Sequence, residues 1–275
     1  MHRRRYGLCK RSRKILIMEY IKYEEKGRVG IITLSREKAL NALNTTMLKE
    51  IDVLLDEIDT DEIRCLILTG AGKKAFAAGA DIEEMSDMGA KESKIYSLYG
   101  NSLMRKIETY PIPVIAAING YCLGGACEMS LSCDFRICSD NAVFGQPETG
   151  LGITPGWGGT QRMARAVGIA MAKQIMYTAK NFKADEALRI GLVNSVHPQE
   201  ELMDYAMKLA EKIASNAPIA VRACKEASTR GIAMDLDQAA KIEADLFSSC
   251  IGTYDQRAAM KAFMNKEKFT DFENR

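Results

Sequence analysis

Apolar positions along this chain fall into two periods, short continuous runs and longer stretches in which they recur every three or four residues. Val29-Gly30-Ile31-Ile32-Thr33-Leu34 reads as a strand. Met47, Leu48, Ile51, Leu54, Leu55 and Ile58 then keep helical spacing, with Asn44 or Thr45 placed to cap the helix. Residues 63–69 predict a second strand, rich in β-branched side chains and stopped by Gly70-Ala71-Gly72. The alternation continues with a helix over about 91–108, a strand over 114–118, a glycine-rich bend, a short helix from Gly125 and a strand over 135–138.

Strands and helices that alternate at short spacing imply an α/β layering. No strand is followed by Gly-x-Gly-x-x-Gly or by Gly-x-x-x-x-Gly-Lys-Ser/Thr, so neither dinucleotide-fold nor P-loop chemistry is indicated. After Val196-His197-Pro198 the period becomes helical only, over 200–213, 219–229, 236–247 and 254–263. These patterns divide the chain into an α/β core over 18–198 and a helical region over 199–275.

Composition changes this picture in three places. At 275 residues, 47% hydrophobic and 27% charged, the chain has the make-up of a globular protein able to bury a large core. No apolar run approaches the ~18 to 20 residues that span a bilayer, so a membrane-spanning protein is not expected. Net charge is +2, yet the first 17 residues carry seven basic side chains and no acid, which leaves −5 for the rest. Residues 1–17 therefore read as a separate basic extension, expected to be disordered and to lie ahead of a start at Met18. The segment is Arg-rich like a transit peptide, but it has a single serine and no clear amphipathic period.

Eight cysteines include no Cys-x-x-Cys pair, and Cys122, Cys127, Cys133 and Cys138 are spaced 5, 6 and 5 apart, which fits no common ligand pattern. The histidines are His2 and His197 alone. No metal site is expected, and the cysteines read as buried thiols in a reducing cytoplasm.

Candidate chemistry rests on two glutamates 20 positions apart, Glu128 at the end of Gly124-Gly125-Ala126-Cys127-Glu128 and Glu148 at the end of Phe144-Gly145-Gln146-Pro147-Glu148. Either one alone reads as a first-turn helix acid or a loop acid. Together, among apolar and small neighbours, they suggest two carboxylates sharing a poorly hydrated pocket, an arrangement that raises carboxylate pKa values and suits proton transfer. Gly124-Gly125 opens a helical run, where unpaired N–H groups can hold an oxyanion. The bend Phe76-Ala77-Ala78-Gly79-Ala80-Asp81 is a candidate for the opposing donor.

The segments Ala77-Ala78-Gly79-Ala80-Asp81-Ile82, Asn119 through Glu128, Phe144 through Glu148 and Pro155-Gly156-Trp157-Gly158-Gly159-Thr160-Gln161-Arg162 resemble the enoyl-CoA hydratase/isomerase, or crotonase, superfamily. The resemblance runs from about Glu19 to the C-terminus. It implies a crotonase-type spiral of ββα units, a C-terminal helical region that builds trimers or hexamers, and an acyl-CoA thioester substrate without a separate cofactor. It implies that Ala80 and Gly125 supply the oxyanion N–H groups and that Glu128 and Glu148 hold one water, Glu148 exchanging the proton at Cα and Glu128 activating the water. By the same resemblance Ala78, Lys38 and Ala39 border the coenzyme A nucleotide, flanked by Gly79, Asp81 and Gly124. Phe263 and Lys266 fall where a C-terminal helix reaches a neighbouring subunit's coenzyme A.

Three positions depart from the family pattern: Ala126 where a third glycine is common, Glu37 for the usual proline, and Trp157 at a position usually small. Trp157 is expected to shape the acyl pocket. Hydration of a short-chain 2-enoyl-CoA is the leading expectation. Double-bond isomerisation is the alternative within the family, and RNA binding through the Arg-rich tail an alternative outside it, disfavoured by the acidic body.

Overall fold

The computed structural model describes residues 15–275. Strands β1 (Ile15–Ile17), β2 (Ile21–Lys26) and β3 (Val29–Leu34) lead into helix α1 (Thr45–Glu57). Next come β4 (Cys65–Gly70), β5 (Ala75–Ala77), α2 (Ile82–Met85) and α3 (Ala90–Glu108). Then follow β6 (Val114–Ile118), β7 (Tyr121–Leu123), α4 (Gly125–Ser132), β8 (Phe135–Ser139) and β9 (Val143–Gly145). Helices α5 (Gly159–Val167) and α6 (Ile169–Thr178), strand β10 (Phe182–Lys183), helix α7 (Ala184–Arg189) and strand β11 (Ser195–His197) complete the layered part. Helices α8 (Leu202–Ala214), α9 (Pro218–Gly231), α10 (Leu236–Cys250) and α11 (Tyr254–Met264) end the chain.

Two sheets result. The larger runs β1-β2-β3-β4-β6-β8-β11 and is parallel from β3 onward; the smaller runs β10-β9-β7-β5, with β5, β7 and β9 parallel. Each turn of the chain contributes one strand to the large sheet, one to the small sheet and then a helix: β4-β5-α3, β6-β7-α4, β8-β9-α5. This is the spiral of ββα units.

The large sheet is covered on both faces, as parallel sheets are. One face packs on α1 and α3 through Leu48, Ile51, Leu54, Leu103 and Met104, each about 1% exposed or less. The other packs on α8, where Leu202, Ala206, Ala210 and Ala214 meet Val29, Ile67, Ile115 and Ile137. Each large aliphatic side chain so buried contributes roughly 1.5–3 kcal/mol. Helix α8 thus belongs to the core, and the helical arm begins at Pro218 rather than at residue 199. The core also starts earlier than the composition suggested, because Ile15–Ile17 pairs antiparallel with β2. The rest of the basic extension, residues 1–14, lies outside the described residues.

Asn44 caps α1 by accepting from Met47 N at 2.9 Å. A left-handed pair, Leu40 and Asn41, precedes it. Asn41 is 1% exposed; its amide donates to Ala71 O and Ala75 O at 3.0 and 2.9 Å, and its Oδ1 accepts from Arg36 N at 2.9 Å. Residues 40–43 in turn clamp the loop after β5: Ala78 N donates to Leu40 O, Leu43 N to Gly79 O, and Asp81 N to Leu43 O. Asn41→Ala removes the donor to one buried and one part-buried carbonyl and the acceptor for Arg36 N, and puts in left-handed backbone a residue that tolerates it less well than asparagine. It should lower unfolding free energy by about 2–4 kcal/mol in urea titration.

Candidate active site

The three parallel strands of the small sheet end at one edge, and each continues into a different piece of the site. Register pairs Ala77 with Cys122, Cys122 with Phe144, and Leu123 with Gly145, so residues 78–80, 124–125 and 146–148 emerge side by side. Gly124 N donates back to Gly145 O at 2.9 Å. Gly124 adopts φ 50°, and a Cβ there would stand 2.9 Å from Glu148 Oε1, so glycine is needed for both backbone and space. Helix α4 starts at Gly125, whose amide is one of the N–H groups a helix leaves unpaired. Bonds to Leu43 use the Gly79 carbonyl and the Asp81 amide, leaving the Ala80 amide outside that ladder. A Cβ built on Gly125 would lie 3.4 Å from Ala80 N, which puts the two amides close together.

These edges open on a cavity of about 650 Å³ lined by Ala78, Gly79, Ala80, Gly124, Gly125, Glu128, Glu148 and Trp157. Glu128, on the first turn of α4, is 1% exposed; its Oε1 accepts from Trp157 N at 2.8 Å and Gly159 N at 2.6 Å. Desolvation raises its pKa, and the loop N–H groups together with the nearby Arg162 guanidinium oppose the rise. Glu148 is 8% exposed, in a single-turn 3₁₀ segment after Pro147. Burial, with the charge of Glu128 adding to it, pushes its pKa up to about 7. With its nitrogen turned toward Glu148, the Gln146 amide donates to Oε1 and Oε2 at 2.9 and 3.1 Å.

Two buried carboxyl groups beside two unpaired amides can hold a water, move a proton, and stabilise negative charge on an oxygen. The structure thus gathers Ala78, Gly79, Ala80, Gly124, Gly125, Glu128, Glu148 and Trp157 at one cavity. Lys38 and Ala39 sit in the 3₁₀ turn Glu37–Ala39, and Asp81 caps α2 and pairs with Arg36 at 2.5 Å; none of the three lines it. Phe263, 83% exposed on α11, and Lys266, with φ 60°, lie outside the lining as well. Sequence reasoning missed Gln146, Tyr96, Met85 and Met88. Gln146 offered a signal, an amide two residues before a candidate acid, whereas Tyr96 reads as one more apolar position of α3.

The buried thiols Cys65, Cys133 and Cys138 have pKa values pushed up to about 12 by burial, so they are protonated packing groups at neutral pH. His197 ends β11, stacked on Tyr205 and bonded to Ser195 Oγ at 2.8 Å, outside the cavity lining. Among the described residues no group of three or more His, Cys, Asp or Glu is placed to hold a metal ion.

Comparison with known proteins follows the same lines. The enoyl-CoA hydratase/isomerase family profile matches residues 24–275. A short-chain-enoyl-CoA hydratase of Clostridium acetobutylicum is 54% identical over 253 residues, 92% of this chain and 97% of that protein. A crotonyl-CoA hydratase of Syntrophomonas wolfei is 48% identical over 251 residues, 91% and 96% of the two chains. The crystal structure of an enoyl-CoA hydratase from Bacillus anthracis superposes with a TM-score of 0.90 at 40% identity, covering 94% of this chain and all of the other.

A carboxyl whose folded pKa is raised costs stability only when ionised: nothing below its unfolded pKa near 4.5, more as pH rises to about 7, and a constant amount above. Glu148→Gln removes that cost. The variant should match the wild-type chain near pH 4.5 and gain up to about 3 kcal/mol on it by pH 8, read as a pH-dependent difference in Tm.

Proposed function

The chain belongs to the enoyl-CoA hydratase/isomerase family, and from that premise we propose how its residues hydrate a short-chain 2-enoyl-CoA thioester. The reaction is a reversible hydro-lyase step giving the 3-hydroxyacyl-CoA. Amides of Ala80 and Gly125 receive the thioester oxygen, and their strength as donors grows as that oxygen takes on enolate charge, an effect worth about 2.7–4 kcal/mol per donor. Glu128 and Glu148 hold one water between them. Both loop N–H groups end on Glu128 Oε1, which leaves Oε2 to take a hydrogen bond from that water and aim its oxygen at C3. Glu148, with a pKa near 7, carries a proton to C2 and recovers one from the water, so the two ends of the double bond gain OH and H from one face. The observation that carries this reading is the pair of buried carboxyls at one cavity with two neighbouring unpaired amides. An isomerase moves a proton between two carbons and has no need of a second carboxylate to orient water, so the presence of both favours hydration.

Coenzyme A is part of the substrate, and no separate cofactor is invoked by these steps. Ala78, which lines the cavity, and Lys38, Ala39 and Asp81, which lie outside its lining, are proposed to meet the nucleotide. Phe247, Ile251, Met260 and Phe263 leave a large apolar surface on α10 and α11, which supports a homotrimer or a hexamer in which Phe263 and Lys266 reach a neighbour's coenzyme A. The seven described cysteines are unpaired, which supports a reducing compartment, the cytoplasm.

Purified protein should bleach the conjugated-thioester absorbance of crotonyl-CoA. Glu128→Gln and Glu148→Gln should each lower kcat roughly 10²- to 10⁴-fold with a much smaller change in KM. Full hydratase activity in either variant would refute the assignment.

A further inference from the structure

Trp157 is the bulkiest side chain beside the two glutamates, and it is held there from three sides. Its amide is anchored on Glu128 Oε1 at 2.8 Å. Its indole fills a slot that two glycines leave open: a Cβ on Gly100 of α3 would overlap Cδ1 and Nε1, and a Cβ on Gly125 of α4 would stand 2.6 Å from Cζ3. The side chain is 2% exposed, and a packed ring of this size cannot swing aside without moving a helix. Tyr96 extends the same wall, its ring centroid 5.3 Å from that of Trp157 at an interplanar angle of 48°. Its hydroxyl is buried and has no protein partner, which makes the wall a poor surface for a long alkyl chain.

The position of this wall bears on substrate choice. Resting on the hydratase reading above, Glu128 delivers water to C3, so the carbons beyond C3 leave the reaction centre on the Glu128 side. Trp157 stands on that side, next to Glu128 and packed over Gly125. Elsewhere the cavity is bounded by the flexible Met85 and Met88 and by Ile82 and Leu151, both of them exposed. A chain that could turn toward them would escape a length limit.

We propose that Trp157, backed by Tyr96, is the specificity-determining wall of the acyl site and limits efficient turnover to acyl groups of about four to six carbons. The indole acts by volume, and its backbone N–H serves Glu128 separately. Length preference and catalytic orientation are therefore separable by side-chain substitution.

The test is kcat/KM for trans-2-enoyl-CoA of four, six, eight and ten carbons with wild type, Trp157→Phe and Trp157→Ala. The ratio of the eight-carbon to the four-carbon value should rise at least roughly tenfold in Trp157→Ala, with Trp157→Phe between. Gly100→Ala, which pushes the indole into the cavity, should move the six- to four-carbon ratio the other way. As Trp157 is the single tryptophan of the chain, its fluorescence should change on adding butyryl-CoA and not on adding coenzyme A alone. A loss uniform across chain lengths in the Trp157 variants, or unchanged ratios, would overturn the proposal. Wild-type protein that fails to hydrate crotonyl-CoA would instead overturn the hydratase reading on which it rests.

Discussion

Three strands of three residues each hold the site together, and none of them is stable alone. A strand that short makes too few ladder bonds to persist unless its neighbours are already in place. Strands β5, β7 and β9 are brought together because β4, β6 and β8, one step earlier in each spiral turn, are fixed side by side in the buried large sheet. Their parallel pairing then sets which residues emerge at the common edge. A slip of one residue would turn Gly124, Gly125 and Ala80 away from one another.

That edge carries two buried carboxyl groups. They share one cavity, and the protein treats them differently. Glu128 receives two backbone N–H groups from the loop before α5 and feels Arg162, which itself pairs with Glu108 at 3.0 Å and donates to Trp157 O at 3.1 Å. Glu148 takes the Gln146 side-chain amide instead, and desolvation with the charge of Glu128 pushes its pKa up to about 7. Their surroundings thus differ within a single pocket, which is what the proposed division into an orienting and a proton-carrying carboxyl requires. The same loop that donates to Glu128 also delivers the Trp157 side chain to the cavity, so one short segment sets both the surroundings of that carboxyl and the shape of the cavity wall.

Much of the fold was legible in the chain because its large-sheet strands and amphipathic helices are long enough to show a period. The apolar runs at 29–34 and 114–118 coincide with β3 and β6, and the helical periods match α1, α3 and α9 to α11 within a few positions. The small sheet shows in the sequence only as glycine-rich bends, since three residues cannot display alternation. Helix α8 carries the same amphipathic period as the arm that follows it, and only its contacts with Val29, Ile67 and Ile115 place it in the core. Of the candidate site, the residues on the three glycine motifs were found through their resemblance to a known family. Gln146, Tyr96 and the methionines were not, because amide orientation and helix facing depend on neighbours distant in sequence.

By itself the sequence determined the layered α/β class, the helical C-terminus, the choice of Glu128 and Glu148 as candidate positions, and the family to which their motifs belong. Those properties are local, written in period, composition and contiguous motif. Tertiary structure decided which carboxyl is the more strongly compensated, where Trp157 stands relative to Gly100 and Gly125, and that residues 15–17 join the sheet. Each of these depends on desolvation or on close contact between segments tens of residues apart, quantities that exist only once the chain has closed on itself.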